Sequence, residues 1–315
     1  GVQVAVLPFF LGGTAVPLPR FEPELFLKTI QDERINWTFV APTMLERILA
    51  LPEEVLSRYN LSTMHSIICA AAPCPPDVKR NINALFRRQG AKKDIFMEYY
   101  GASETGIVSV LVPQDYQADD NRYNSVGKIR GAECRIYDEE KGTWAPVGQE
   151  GKVVIRSHMA LGLEYKGDKK KTDEAFLEIE GRPWYDDGLI GYVDADDFLY
   201  LTSRAKEMII SGGVNVFPNE IEEVIKRHSC IFDAAVVRAP DEDLGEVAAA
   251  FVQLKEGEKE PTLEELVKFC KDEGLYGFKL PKKLYFEKQL PRQLSGKLIK
   301  RDLEEKLWEG IKAHG

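Results

Sequence analysis

The chain has 315 residues, 44% hydrophobic and 30% charged. That composition leaves room for about two domains and excludes a disordered, collagen-like or disulfide-scaffold protein. Forty-two Lys plus Arg against fifty-one Asp plus Glu leave a net charge of -9, so no general basic field draws the chain to nucleic acid or an anionic membrane, and neither is expected as a partner.

In chain order, residues 1–100 alternate apolar runs with helical spacings. Val4 to Phe10 is apolar but falls far short of the roughly 20 residues that span a bilayer. Pro23 opens a helix with Leu25, Phe26 and Ile30 on one face. Trp37-Thr-Phe-Val-Ala reads as a buried strand, and Pro42 starts a second helix through Leu45, Ile48 and Leu49. Ser66 to Ala72 reads as another strand, Pro75-Pro76 begins a helix to Arg88, and Asp94 to Glu98 leads into Tyr99-Tyr100-Gly101. Strands alternating with helices imply a mostly parallel sheet of α/β type.

From about 107 to 204 short β-rich runs broken by Gly and Pro, such as Gly151-Lys-Val-Val-Ile-Arg, suggest a distorted barrel or small antiparallel sheet. After Arg204 the pattern becomes α+β. Met208-Ile-Ile is followed by a helix from Pro218 to about His228, strands near 234–238 and 247–254, a helix from 262 to 273, a strand after Pro281 and a last helix from Leu298 to Trp308. A domain boundary is expected near Ser203 to Lys206.

Five cysteines (Cys69, Cys74, Cys134, Cys230, Cys270) form no C-x-x-C pair and are odd in number, which argues against a disulfide framework and for a reducing, cytoplasmic setting. The four histidines lie far apart with no H-E-x-x-H, so zinc-hydrolase and Ser-His-Asp chemistry find no support. The chain opens on Gly1-Val-Gln-Val, with neither a basic leader nor an initiator Met, and is expected to begin inside a longer protein.

Tyr99-Tyr100-Gly101-Ala102-Ser103-Glu104-Thr105-Gly106 falls at a strand end, where open parallel sheets bind ligands. An aromatic ring can cover a purine, glycines let backbone approach a ligand, and a carboxylate can hold Mg²⁺ together with ATP phosphates. Alone, the segment also reads as a tight turn with a surface Glu. It is followed by Ser203-Arg204-Ala205-Lys206-Glu207-Met208, then Ser211-Gly212-Gly213-Val214-Asn215-Val216-Phe217-Pro218, and finally by Leu290-Pro291-Arg292-Gln293-Leu294-Ser295-Gly296-Lys297. With Ala41-Pro-Thr-Met-Leu and Ala70-Ala71-Ala72-Pro73, in this order, these motifs resemble the adenylate-forming superfamily, specifically acyl-CoA synthetases of the fatty-acid and aryl-acid type, over nearly the whole chain.

The resemblance implies a fold: residues 1–204 as the C-terminal portion of a large AMP-binding domain, α/β with a parallel sheet plus a distorted β-barrel, and residues 205–315 as a small α+β lid domain. It implies a two-step reaction in which a carboxylic acid attacks the α-phosphate of ATP to give acyl-adenylate and pyrophosphate, and coenzyme A then displaces AMP. On that analogy Tyr100 and Gly101 pack against adenine, Glu104 holds Mg²⁺, Thr105 lies near the α-phosphate, and Ala71, Ala72 and Pro73 line the adenine and acyl pockets through backbone groups. Arg204 contacts ribose or phosphate, for which a fixed fork of donors is suited. Lys206 matches the point about which the lid turns, and Ser211, Gly212 and Gly213 leave room for the pantetheine arm of CoA. Lys297 brings an ammonium to the reacting carboxylate; losing such a donor costs about 3–4 kcal/mol of barrier. The alternative for Lys297 is a solvated position in a basic run. A Walker loop is excluded, because Leu298 stands where Ser or Thr is required.

Two departures stand out. The Ser/Thr/Gly-rich phosphate loop of the family is absent, so the chain by itself is expected to bind ATP weakly and to be inactive. Relatives carry a ribose-gripping Asp where Trp184-Tyr-Asp-Asp-Gly-Leu-Ile-Gly places Leu189; Asp187, two residues earlier, is the candidate substitute. Ser203 likewise replaces an Asp. An adenylating domain that delivers to a carrier protein, and a degenerate nucleotide- or acyl-binding module, are the competing expectations.

Overall fold

A computed structural model describes residues 8–204, 207–293 and 298–308. The chain divides into two compact units. One comprises Gly1–Cys134, Ile155–Glu164 and Asp194–Tyr200; the other comprises Arg135–Val154, Tyr165–Val193 and Leu201–Gly315.

The first unit is built on a five-stranded sheet of β1 (Trp37–Val40), β2 (Ser66–Cys69), β3 (Phe96–Ala102), β4 (Gly106–Leu111) and β5 (Lys128–Ile129), adjacent in that order. Strands β1, β2 and β3 run parallel, while β4 and β5 return antiparallel. The sheet is therefore mixed rather than mostly parallel. Helical crossovers separate the parallel strands, but only residues 103–105 join β3 to β4, which is enough for a hairpin and nothing more.

The helices of this unit are α1 (Pro23–Asp32), α2 (Pro42–Leu49), α3 (Glu53–Leu56), α4 (Pro76–Arg88) and α5 (Pro113–Ala118). Four of them, α1, α2, α4 and α5, begin with Pro in the first turn, where its missing N–H costs nothing and its fixed φ suits the helix. The Glu22 carboxylate caps α1 by accepting from the backbone N–H of Glu24 and Leu25. The buried face of α1 is Pro23, Phe26, Leu27 and Ile30. Leu25, expected there, is exposed, because Leu27 occupies the stripe that spacings of three and four residues define around Ile30.

Helix α4 buries Ile82, Leu85 and Phe86 and, on the same face, Lys79 and Asn83. The Asn83 carbonyl accepts from the backbone N–H of Ile95 and Phe96, both at 3.0 Å. Its amide donates to the Tyr116 and Tyr123 hydroxyls. One buried side chain thus pins the entry of β3.

A six-stranded sheet follows in the chain. It contains β6 (Glu133–Asp138), β7 (Thr143–Trp144), β8 (Gly151–Arg156), β9 (Phe176–Ile179), β10 (Arg182–Val193) and β11 (Leu199–Arg204), ordered β11-β10-β8-β6-β7 with β9 on β10. The short helix α6 (Lys169–Glu174) precedes β9. Val154, Ile179 and Trp184 form its buried cluster, with Trp144 packed edge-on to Trp184. This is the β-rich texture expected for 107–204.

The chain after residue 207 forms a third sheet, β13-β12-β15-β14 with β16 on β15, from β12 (Ile209–Ser211), β13 (Val214–Val216), β14 (Ile231–Asp241), β15 (Gly245–Leu254) and β16 (Lys283–Phe286). Its helices are α7 (Pro218–Lys226), α8 (Leu263–Asp272) and α9 (Lys300–Trp308). Alternate residues of β14 and β15 enter two separate apolar clusters. Ala234, Val236, Ala248 and Ala250 pack with Ile221, Ile225 and Leu266 of α7 and α8, whereas Ala235, Val237, Ala249 and Phe251 pack with Leu303 of α9. A strand pair apolar on both faces needs cover on both, and the helices supply it. Among the described residues no helix is long and apolar enough to cross a membrane.

Candidate functional site

Parallel pairing of β2 with β3 sets Cys69 opposite Glu98. The Ala70–Pro73 segment therefore leaves the sheet beside the strand end that carries Tyr100 and Gly101, at the carboxyl edge where open sheets take ligands. Ala71, Ala72 and Pro73 are exposed while Ala70 and Cys74 are buried. The strand expected through Ala72 stops at Cys69, because Ala71 turns into the left-handed region at φ 81°. Such a conformation in a residue with a Cβ costs on the order of 1–3 kcal/mol and persists only where its surroundings impose it.

Those surroundings are charged and dry. Glu98 and Lys79 are each 1% exposed and form an ion pair. The second Glu98 oxygen accepts the Cys74 N–H at 3.0 Å, and Lys79 Nζ donates to the Ser125 carbonyl at 2.9 Å. Burial holds the Glu98 carboxyl above its ordinary value, while Lys79 and the Cys74 N–H pull it part of the way back. Burial also pushes the Cys74 thiol well up, with Cys69 beside it adding to the effect.

The Tyr100–Gly106 segment is a tight hairpin. A Cβ on Gly101 would lie 2.1 Å from the Gly106 carbonyl oxygen, so only glycine permits the closure. Thr105 is 2% exposed. Its hydroxyl accepts from the Ala102 N–H at 3.1 Å and donates to the Gly106 carbonyl at 3.2 Å, so the side chain is spent on shaping the turn that presents Glu104. Tyr100 and Glu104 are half-buried. Met159 and Ile107, both at least half exposed, supply apolar surface next to the turn, with Met159 Sδ facing Gly106.

The first unit thus brings together Ala71, Ala72, Pro73, Tyr100, Gly101, Glu104 and Thr105. The remaining sequence candidates belong to the second unit. Ser211, Gly212 and Gly213 form the β12–β13 hairpin, in which Ser211 pairs with Val214 and both glycines have positive φ, 55° and 81°. This is the geometry of a two-residue turn that matches strand twist. Space around Gly213 is open, whereas a Cβ on Gly212 would meet Leu244 and Phe278 at 3.2 Å. Asp187 and Leu189 are half-buried in β10, and the backbone of Arg204 ends β11. Lys206 and Lys297 lie outside the described residues, as does the side chain of Arg204. Near both lysines in sequence, Lys300 pairs with Glu207 at 3.0 Å and Glu222 at 2.8 Å.

Among the described residues no three His, Cys, Asp or Glu side chains gather to hold a metal ion. A Mg²⁺ held through Glu104 would draw its other ligands from nucleotide phosphates and water, as that ion commonly does. Sequence reading missed Glu98 and Lys79. The available signal was Lys79 sharing a helical stripe with Ile82 and Phe86, a position where an unpaired charge would be untenable.

The family model described as "AMP-binding enzyme" matches residues 1–165, and that described as "AMP-binding enzyme C-terminal domain" matches residues 220–297. A medium-chain acyl-CoA ligase, ACSF2, of Danio rerio mitochondria is 32% identical over 300 residues, covering 94% of this chain and 47% of that protein. A long-chain-fatty-acid–CoA ligase of Bacillus subtilis is 32% identical, covering 94% of this chain and 50% of its own length. The chain thus spans about half the length of these curated relatives. Among solved structures, an amide bond synthetase from Marinactinospora thermotolerans superimposes with a TM-score of 0.78 at 29% identity, covering 93% of this chain and 57% of that one. A family model that matches residues 1–165, more than half of the chain, followed by the C-terminal-domain model over 220–297, shows that the chain belongs to the AMP-binding enzyme family.

Proposed function

We propose that this chain belongs to an ATP-dependent carboxylate–CoA ligase. The observation that carries this reading is the convergence of the strained Ala71–Pro73 backbone and the Tyr100–Glu104 turn at neighbouring strand ends. Tyr100 offers a ring face to adenine, the exposed loop backbone offers hydrogen bonds to adenine and acyl group, and Glu104 holds Mg²⁺, which when bound neutralises phosphate charge. Lys297 supplies the ammonium for the acid and α-phosphate, Arg204 and Asp187 address ribose and phosphate, Lys206 is the turning point, and Ser211-Gly212-Gly213 passes the pantetheine arm. The division into residues 1–204 and 205–315 belongs to the same proposal, supported by family matches that stop at 165 and resume at 220. Exposed Ile107 and Met159 beside the turn favour an apolar acid, as do the medium-chain acyl and long-chain fatty-acid substrates in the relatives' names. Five free, buried cysteines support a reducing compartment such as the cytoplasm.

The test uses the complete protein and follows the two half-reactions separately. Pyrophosphate release should require a fatty acid but not CoA, and thioester should form only once CoA is added. Lys297→Ala should lower adenylation by about 10²–10³-fold, as loss of one such donor does, while thioester formation from supplied acyl-adenylate survives; equal loss of both would remove Lys297 from its assigned step. Release without thioester, discharged instead to an amine or a carrier protein, would favour the acceptor chemistry suggested by the amide synthetase likeness. No release with any acid would leave a binding module, the outcome Leu189 favours. Leu189→Asp should tighten ATP binding about tenfold by restoring charge-assisted bonds to ribose, read by calorimetry.

A further inference from the structure

The Glu98–Lys79 pair has no part in the chemistry proposed above, yet it is among the most deeply buried polar features of the first unit. Replacing a buried ion pair by apolar side chains of similar volume is often neutral or stabilising, so stability alone is a weak reason for its presence. Its connections point elsewhere. Glu98 bonds the N–H of Cys74, the residue at which the exposed loop returns to the interior. The other end of that loop is fastened by the Ala70 N–H to the Val40 carbonyl at 3.2 Å and by the pairing of Cys69 with Glu98. Lys79 carries the chain onward to the Ser125 carbonyl, and the Ser125 hydroxyl donates to the Leu199 carbonyl at 2.7 Å while accepting the Gly127 N–H at 2.9 Å. Between the two fastened ends lies Ala71 at φ 81°. Glu98 also stands two residues before Tyr100 on β3, so one carboxylate fixes both the loop and the strand end beside it.

We infer that Glu98 and Lys79 are positioning residues: the carboxylate, oriented by the ammonium, holds residues 70–74 in their strained path so that loop backbone and Tyr100 face one bound acyl-adenylate. Identification of the ligand rests on the function proposed above; the anchoring itself does not.

Two double variants separate anchoring from mere stability. In Glu98→Met with Lys79→Met the pair becomes apolar and the Cys74 N–H loses its acceptor. In Glu98→Gln with Lys79→Met the pair is neutral but an amide oxygen still accepts from Cys74. Should the first not fold, Glu98→Leu with Lys79→Met replaces it. Hydrogen–deuterium exchange on the 315-residue chain should show residues 70–74 exchanging at least about tenfold faster in the apolar variant and at the wild-type rate in the amide variant, at similar melting temperatures. Measured on the complete protein, the dissociation constant for a non-hydrolysable acyl-sulfamoyl adenosine should rise about tenfold in the first and stay unchanged in the second. Unaltered exchange in the apolar variant, or equal loosening in both, overturns the anchor. If the complete wild-type protein does not bind the sulfamate, the ligand assignment falls while the exchange rates still decide the anchor.

Discussion

Ala71 holds a backbone conformation in which its Cβ crowds the following carbonyl. Ala71→Gly should therefore stabilise the fold by about 1 kcal/mol, since glycine takes that conformation without steric cost, and a urea titration would read it as a raised midpoint at unchanged slope. Glu98 yields a second expectation. Burial keeps its folded-state pKa above the ordinary value, so over that interval the folded chain binds more protons than the unfolded one, and stability falls as pH rises. Lys79→Met removes the opposing charge and lifts the carboxyl further, widening the interval upward. Melting temperature across the range in which that carboxyl titrates should then drop more steeply with rising pH than in wild type; adding Glu98→Gln should abolish the excess slope. The turn joining Tyr100, Gly101 and Glu104 was legible because it is local and depends on glycine at one place. Glu98 and Lys79 were not, because their meaning comes from residues 74 and 125 that only tertiary packing brings near. The Thr105 hydroxyl bonds to the hairpin's own backbone, a pattern that the motif alone does not specify.

At the level of elements, the β12–β13 hairpin depends on two consecutive left-handed glycines. Gly213→Ala meets open space and should cost only the backbone penalty, about 1 kcal/mol. Gly212→Ala adds the crowding against Leu244 and Phe278 and should cost more; paired chemical denaturation curves would rank them. Helix starts could be read from prolines at first turns, and the strands of the C-terminal part from apolar runs of the right length. The extent of β2 could not, because three alanines after Cys69 carry no local stop signal and the chain turns for reasons set by its neighbours. The antiparallel return of β4 was hidden for a related reason: a three-residue link implies a hairpin only once both flanking runs are known to be strands.

On the scale of the whole molecule, the two apolar clusters of the third sheet draw only on residues from 209 onward, and the first unit's principal cluster uses none of them. Residues 205–315 expressed alone should accordingly melt in one cooperative transition with mixed helix and strand circular dichroism; a non-cooperative or unfolded product would mean that this part relies on the rest of the chain. Order and spacing of motifs made the family legible across both halves, and among the described residues the Ala70–Pro73, Tyr100–Gly106 and Ser211–Gly213 motifs sit at strand ends or turns. Lys300, clasped by Glu207 and Glu222, ties a point one residue past Lys206 to a point three residues past Lys297. If the C-terminal part pivots at Lys206 as proposed, this clasp joins the pivot's own segment to the stretch of chain that follows the ammonium assigned to adenylation. Releasing that clasp, as in Lys300→Met, would then loosen the link between hinge and reacting end.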